Sequence, residues 1–178
     1  AIQRFKKKEK RKMKKLLLLL LFIPLVSFGQ VVLKTGSGEL VNGYSIKYPD
    51  GFKIDNGSRF PNTYFKDQKR IRVIAEKKTA NTKFENIIKI IKDGKLASGG
   101  SIISFKEVKK KNTSLVTGVY LTKEYSVIAA SAFIINEYIF IIIIEIEPKE
   151  IQKENSELYK KIIAELKILL NEMVDNFI

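Results

Sequence analysis

Carboxylates and lysines are the residues of this sequence that are able to do acid–base or ion-binding chemistry. The 178 residues include 33 Lys and Arg and 19 Asp and Glu, but no His and no Cys. Catalysis by Ser-His-Asp or Cys-His groups is therefore excluded, as are disulfides and cysteine-ligated metal sites. The missing His also removes the commonest general base and the commonest transition-metal ligand.

Glu145 and Glu147 form the carboxylate pair considered for acid–base work, since residues two apart on a strand share one face. The same pair closes an apolar run, which is typical of a strand that emerges into water, and we favour that interpretation. The stretches Asp50-Gly51 and Asp55–Gly57 are too sparse in oxygen ligands for a calcium loop and indicate turns. The sequence therefore predicts no catalytic residue, no metal site and no cofactor.

Three consecutive lysines, Lys109, Lys110 and Lys111, lie between two candidate strands. If they converge with the basic residues of 69–72 and 77–78, they form a surface that attracts acidic lipid headgroups or a polyanion. Lysines in a hairpin loop are more often simply solvated, and both interpretations stay open. We name these three lysines as the candidate anion-binding site. Nucleic acid is not a predicted partner, because stacking aromatics do not interleave with the basic residues.

The irregular stretch at residues 56–65 is the best candidate for a recognition surface, because long loops often carry function. It combines aromatic side chains with polar ones that are able to donate and accept hydrogen bonds. The predicted partner-binding residues are Arg59, Phe60, Asn62, Tyr64 and Phe65. The alternative is that the aromatic side chains only fasten the loop to the core.

Residues 13–29 have the pattern of a secretory signal peptide. A basic start at Met13–Lys15 precedes an apolar stretch at residues 16–26, and small residues occupy the −3 and −1 positions of a cleavage site between Gly29 and Gln30. The alternative is a membrane anchor, but the apolar stretch contains a proline and is shorter than the about 20 residues of a spanning helix. We therefore expect export to the periplasm or the extracellular space.

The basic residues concentrate at the beginning of the chain. Residues 1–15 hold nine of the Lys and Arg and one of the Asp and Glu, so the part beyond Gly29 carries a net charge of +6. That value is ordinary for a small domain and weakens a nucleic-acid hypothesis further. Residues 1–12 are expected to lie upstream of the true start at Met13 or to form a basic arm.

Residues 30–178 are predicted to form a single domain that contains two helices. A possible capping box at Thr82 and Glu85, followed by apolar residues at helical spacing, predicts a helix at about 83–93 that Gly94 ends. A second apolar stripe, with steps of three and four residues, predicts a long C-terminal helix at about 150–176.

Strands are predicted at residues 30–34, 44–48, 52–54, 71–75, 100–108, 115–122, 125–135 and 138–147. Short connections between the last four make them antiparallel neighbours. The last strand is apolar on both faces, which indicates a central position with cover on both sides. Two amphipathic helices and one two-sided sheet predict the α+β class, as an α/β/α sandwich with a central antiparallel sheet of about six strands.

The stretch Gly43–Phe52, GYSIKYPDGF, resembles the opening "gysi-yP-gw" pattern of the PsbP/Mog1-like fold family, with Phe52 where that family often has Trp. The hairpin at Asn136–Phe140 and the order of elements add to the resemblance, which covers Val41–Phe177. It implies a non-enzymatic accessory or binding protein that assists a membrane complex or binds a protein partner. None of the family's functional residues is carried over, since none of its functional motifs is matched.

The function expected from these features is that of an exported, non-catalytic binding or assembly accessory domain of the bacterial envelope. Its partner is expected to be an unknown protein or a membrane-associated complex, with no transmembrane span in the mature form. A basic domain that binds acidic lipid or a polyanion is the first alternative. The second is a hydrolase that works without His.

Overall fold

The structure is a computed structural model that describes residues 30–36, 38–80, 82–110, 113–147 and 156–177. The predicted signal peptide at 13–29, the stretch 1–12, Lys111 and the predicted start of the C-terminal helix lie outside these ranges. The predicted division of the chain at Met13 and Gln30 therefore stays a prediction.

Nine strands and two helices make up the described ranges. The strands are β1 (Gln30–Lys34), β2 (Leu40–Lys47), β3 (Lys53–Ile54), β4 (Thr63–Lys66), β5 (Lys69–Lys77), β6 (Ser101–Lys110), β7 (Thr113–Leu121), β8 (Val127–Ile135) and β9 (Tyr138–Ile146). The helices are α1 (Phe84–Lys92) and α2 (Ser156–Asp175), and a 3₁₀ turn follows α1 at Lys95–Ala97.

The central sheet has seven strands in the order β3-β4-β5-β9-β8-β7-β6, and every neighbouring pair is antiparallel. The sheet is one strand wider than the expected six or so, and β1 and β2 pair separately as a two-stranded sheet. The pattern did not predict β4, because its four residues are too few to show an alternation. β9 lies between β5 and β8, which confirms the central position predicted for it.

The residues of β9 divide between two hydrophobic clusters. Phe140, Ile142 and Ile144 are fully buried and pack with residues of α2, whereas Ile139 and Ile143 belong to the cluster that contains α1. Because successive strand residues point to opposite faces, the two helices lie on opposite faces of one sheet. The predicted α/β/α sandwich is confirmed.

The small sheet of β1 and β2 packs on the same face as α2. Leu33 and Ile46 are fully buried in the cluster that contains Leu166 of α2. Thr35 joins β1 to the central sheet through a parallel bridge with Ala75 of β5. This face of the sheet is therefore covered by a helix and a hairpin.

Helix α1 starts without the predicted capping box. Its N-cap is Lys83, which makes no side-chain cap hydrogen bond, and the Thr82 backbone N–H donates to the Thr79 hydroxyl at 3.0 Å. The Thr82 N–H is thus hydrogen-bonded within the preceding turn, and the buried Phe84 is the first helical residue. Gly94 adopts φ 66° just after the helix, in the left-handed region that favours glycine, so the predicted stop is confirmed.

Candidate binding groove

Helix α1 covers only part of its face of the sheet. It contacts β7 and β8, while Arg72 of β5 and Ile143 and Glu145 of β9 stay half-buried on the same face. The uncovered part forms an open groove of about 570 Å³. The groove is lined by Arg72, Leu96, Ala97, Ser98, Thr122, Lys123, Glu124, Ser126, Ile128, Ile143, Glu145 and Glu147.

Tyr120 fixes the end of α1 beside the groove. Its hydroxyl donates a hydrogen bond to the Ile91 carbonyl at 2.5 Å, and burial raises the pKa of this phenol, which stays protonated as a donor. Gly118 leaves the room that this side chain needs, because a Cβ there would stand 1.9 Å from the Tyr120 oxygen. The wall at Lys95–Ala97 is thereby held above the sheet.

The strand register brings the charged residues of the groove together. Arg70 of β5 and Ile128 of β8 both lie opposite Glu145 of β9. The Arg70 guanidinium lies 3.7 Å from Asp55 and from Glu145 and 3.5 Å from Glu147. One arginine therefore faces three carboxylates, and the cluster keeps an excess of negative charge.

Glu145 is a half-buried carboxylate whose side chain is 25% exposed. Burial raises its pKa above the ordinary value of 4.5, and the neighbouring Glu147 raises it further. Arg70 and Arg72 act in the opposite direction and lower the pKa, but do not cancel the effect of burial. Glu145 is thus able to hold a proton at a higher pH than an exposed glutamate.

Arg72 connects the groove to the predicted recognition loop. Its guanidinium carbon lies 4.2 Å from the ring centroid of Phe60, within the range of a cation–π contact. Its Nε is buried, and no atom within the described ranges accepts a hydrogen bond from it. The arginine therefore stacks on an aromatic ring at the edge of the groove and keeps one buried donor without an acceptor in the described ranges.

A second depression of about 260 Å³ adjoins the groove. Its lining residues are Asp55, Phe65, Asp67, Gln68, Lys69, Arg70, Glu145 and Glu147. Because Glu145 and Glu147 line both depressions, the two form one continuous surface. This surface has Phe60 beside one depression and Phe65 in the other, and both aromatic side chains are about half exposed, at 48% and 42%.

The predicted partner-binding residues divide into an exposed and a buried set. Arg59, Phe60 and Phe65 are exposed, whereas Asn62 and Tyr64 are each 8% exposed. The loop is thus fastened to the core by some of its residues and presents others to solvent. The partner-binding role of all five stays a prediction.

Asn62 and Tyr64 have partners inside the fold. The Asn62 amide donates to the Lys34 carbonyl at 2.7 Å and to the Val73 carbonyl at 3.2 Å, and its oxygen accepts from the Lys34 N–H at 3.1 Å. Tyr64 stacks on Tyr48 with ring centroids 3.6 Å apart. These contacts join β1 and the loop to β5, so both side chains already have an internal structural role.

The structure describes the predicted anion-binding lysines only in part. Lys109 is exposed near the end of β6, Lys110 is the last residue of that strand, and Lys111 lies outside the described ranges. Their convergence into one anion-binding patch stays a prediction.

The sequence alone does not predict the groove. In the sequence Arg70 and Arg72 belong to a basic cluster, and Glu145 and Glu147 mark the end of a strand. The alternation of β5, which places Arg70 and Arg72 on one face, was the available signal. What the sequence alone does not give is the antiparallel register that sets these arginines against the carboxylates of β9.

Two features are absent from the described ranges, a metal-ligand group and a membrane-spanning helix. No group of three or more His, Cys, Asp or Glu side chains there is placed to hold a metal ion. Neither of the described helices is both long enough and apolar enough to cross a membrane.

Comparison with known proteins supports the fold. No protein-family model and no curated protein matches this sequence. The solution structure of cyanobacterial PsbP (CyanoP) from Synechocystis sp. PCC 6803 is similar, with a TM-score of 0.53 at 10% sequence identity, over 83% of this chain and 93% of that chain. The expected PsbP-like fold is thereby confirmed, and at this identity the likeness concerns the fold alone.

Proposed function

We propose that this chain is an exported, non-catalytic accessory domain of the bacterial envelope that binds a protein partner through the groove. The single observation that carries the proposal is the surface around Arg72. There Phe60 and Phe65 are about half exposed on either side of a charged cluster. Exposed aromatic residues next to arginine are the composition that protein interfaces favour.

The openness of the groove favours a protein over a small molecule as the occupant. Pockets for small ligands enclose most of the ligand surface. Here Arg70 is shared between Asp55, Glu145 and Glu147 at distances of 3.5–3.7 Å, which leaves carboxylate oxygens for further donors. A partner surface that brings a basic side chain and an apolar one would satisfy both the carboxylates and the aromatic rings.

A hydrolase without His is the second candidate, and the raised pKa of Glu145 favours it. A half-buried carboxyl with a raised pKa next to a second carboxylate, Glu147, is the arrangement expected of an acid–base pair. If the groove is catalytic, Glu145→Gln abolishes turnover of chromogenic ester or glycoside substrates. If the groove is a binding surface, the wild-type protein shows no turnover above the level of Glu145→Gln.

The binding proposal is tested by capture from envelope extract of the source organism. The chain from Gln30 onward, which contains every described strand and helix, is immobilised, and retained proteins are identified by mass spectrometry at low and at high salt. We expect one protein to be retained at high salt, and to be lost with the double variant Phe60→Ala/Phe65→Ala.

The matched control is Leu40→Ala/Ile168→Ala, which removes two other exposed apolar side chains, 54% and 69% exposed, on β2 and α2 at the opposite face of the sheet. This control is expected to retain the partner. Retention by the Phe60→Ala/Phe65→Ala variant, or capture that is heterogeneous and lost with salt, would contradict the proposal. The latter result would favour the basic domain that binds acidic lipid or a polyanion.

Export is the part of the proposal that rests on the sequence pattern at residues 13–29. Production from Met13 in a Gram-negative host, followed by intact-mass measurement of the periplasmic fraction, tests it. The expected mass is that of a chain beginning at Gln30. An uncleaved chain in the cytoplasmic or membrane fraction would overturn this part and leave the binding proposal untouched.

A further inference from the structure

The two edges of the central sheet differ greatly in length. On one side the sheet ends in β3, which has two residues, and on the other in β6, which has ten. β6 pairs with β7 from Ser101 to Lys110, and no described strand lies along its other side. The outward N–H and C=O groups of an edge strand are open to pairing with a further strand.

The side chains of β6 are not those of an edge protected along its whole length. Ile102 and Ile103 are 47% and 41% exposed, and they lie at a bulge in the first half of the strand. The second half carries Lys106, Glu107 and Lys109, all exposed. Charged residues that discourage pairing are thus confined to one half, while the other half has a bulge and presents apolar surface.

We propose that β6 accepts an extended segment of a protein partner as an eighth strand of the sheet. The complementary segment has an apolar end that packs beside Ile102 and Ile103. Its other end carries an acidic residue on each face, one beside Lys106 and one beside Lys109, because residues three apart on a strand point to opposite faces. Backbone hydrogen bonds supply the affinity, and the side chains select the partner, as in other cases of strand addition.

Net charge favours such an acidic segment over a second copy of this chain. The part beyond Gly29 carries a net charge of +6, so two copies repel each other. An acidic segment is attracted by the same charge. The site lies on the opposite edge of the sheet from β3 and β4, and the proposal does not depend on the groove.

The probes are two blocked nine-residue peptides, Glu-Thr-Thr-Glu-Thr-Thr-Val-Val-Thr and its reverse, whose two Glu are three residues apart like Lys106 and Lys109. They present the acidic end to Lys106 and Lys109 in an antiparallel and a parallel arrangement respectively. Binding to the chain from Gln30 onward is followed by amide hydrogen exchange resolved by NMR. The expected result is that one peptide slows exchange at alternate amides of β6, whose outward N–H groups gain a partner.

Substitution variants and a third peptide provide the controls. Lys106→Glu is expected to weaken binding about fivefold, because it turns an attractive cross-strand pair into a repulsive one. Lys53→Glu makes the same charge change on the other edge and is expected to bind as wild type. If Lys106→Glu does not fold, Lys109→Glu replaces it as the variant that is expected to weaken binding. A peptide with Lys in place of Glu is expected not to bind.

Three outcomes would overturn the proposal. One is that neither Glu peptide slows amide exchange in β6, or that exchange slows only outside β6. Another is that the Lys peptide binds as tightly as the Glu peptides. The last is concentration-dependent self-association with slowed exchange in β6 in the absence of peptide, which would assign the edge to a second copy.

Discussion

The two faces of β9 are built from one run of apolar residues but are used differently. On one face Phe140, Ile142 and Ile144 are fully buried beneath α2 and the hairpin of β1 and β2. On the other, Ile143 and Glu145 stay half-buried, because α1 lies over β7 and β8. The strand is thus sealed on one side and half open on the other.

This difference separates stability from recognition within a single strand. The sealed face removes whole side chains from water and therefore contributes most of the free energy of folding. The open face keeps apolar and charged groups at the surface, where they contribute less to folding and remain able to bind. Neighbouring residues of β9 are therefore expected to differ sharply in the effects of substitution.

The largest expected effect comes from truncating neighbouring isoleucines on the two faces. Ile142→Ala leaves a cavity in the sealed face and should lower the free energy of unfolding by about 3–5 kcal/mol. Ile143→Ala should lower it by about 1–2 kcal/mol, because the side chain is half exposed. Urea denaturation of both variants measures the difference. Equal losses would mean that the two faces are equally sealed.

Asn62 provides the next largest effect, since it fastens the recognition loop to the sealed side. Asn62→Ala removes three hydrogen bonds and places a Cβ-bearing aliphatic residue at φ 55°, and should cost about 2–3 kcal/mol. Asn62→Gly removes the same bonds but accepts that φ, and should cost about 1 kcal/mol less. Thermal unfolding distinguishes the two; an identical cost would show that backbone strain has no part.

Glu145 gives a pH-dependent test of the open face. Since burial raises its pKa, its ionised form opposes folding, and this cost grows as pH rises from 4.5 through the folded-state pKa. Glu145→Gln should therefore be more favourable relative to wild type at pH 7 than at pH 4, by the free energy of unfolding in urea. Glu172→Gln, at an exposed site on α2, serves as the control. A difference that is constant with pH would contradict the assigned burial.

The smallest expected effect on stability is that of Phe60→Ala and Phe65→Ala. Both side chains are about half exposed, so each substitution should change the free energy of unfolding by less than about 1 kcal/mol. Near-native stability makes these variants suitable for the capture experiment. A loss as large as that expected for Ile142→Ala would instead identify the aromatic side chains as part of the core.

The sequence predicted the sandwich and the central place of β9, because apolar periodicity reports which residues avoid water. It did not predict β4, which has only four residues, or that Thr82 bonds in the preceding turn. The expected cover on both sides of β9 is incomplete at Ile143, which stays half-buried, because periodicity does not show how far a helix extends across a sheet.

The candidate site was less accessible to sequence reasoning than the fold. Phe60 and Phe65 were proposed from composition, and the structure places both beside the groove. Asn62 was proposed on the same grounds, but its amide hydrogen-bonds inside the fold. Composition does not distinguish an amide that faces solvent from one that bonds a neighbouring strand, since the contacts of Asn62 involve residues distant in the chain.

Amide hydrogen exchange of the chain from Gln30 onward, measured alone and with the protein captured at high salt, tests the central claim most directly. The account predicts slower exchange around the groove, in residues 56–61, 95–100 and 122–126, with α2 unchanged. Slower exchange confined to α2 or to the hairpin of β1 and β2 would contradict it, because the partner would then bind the sealed side.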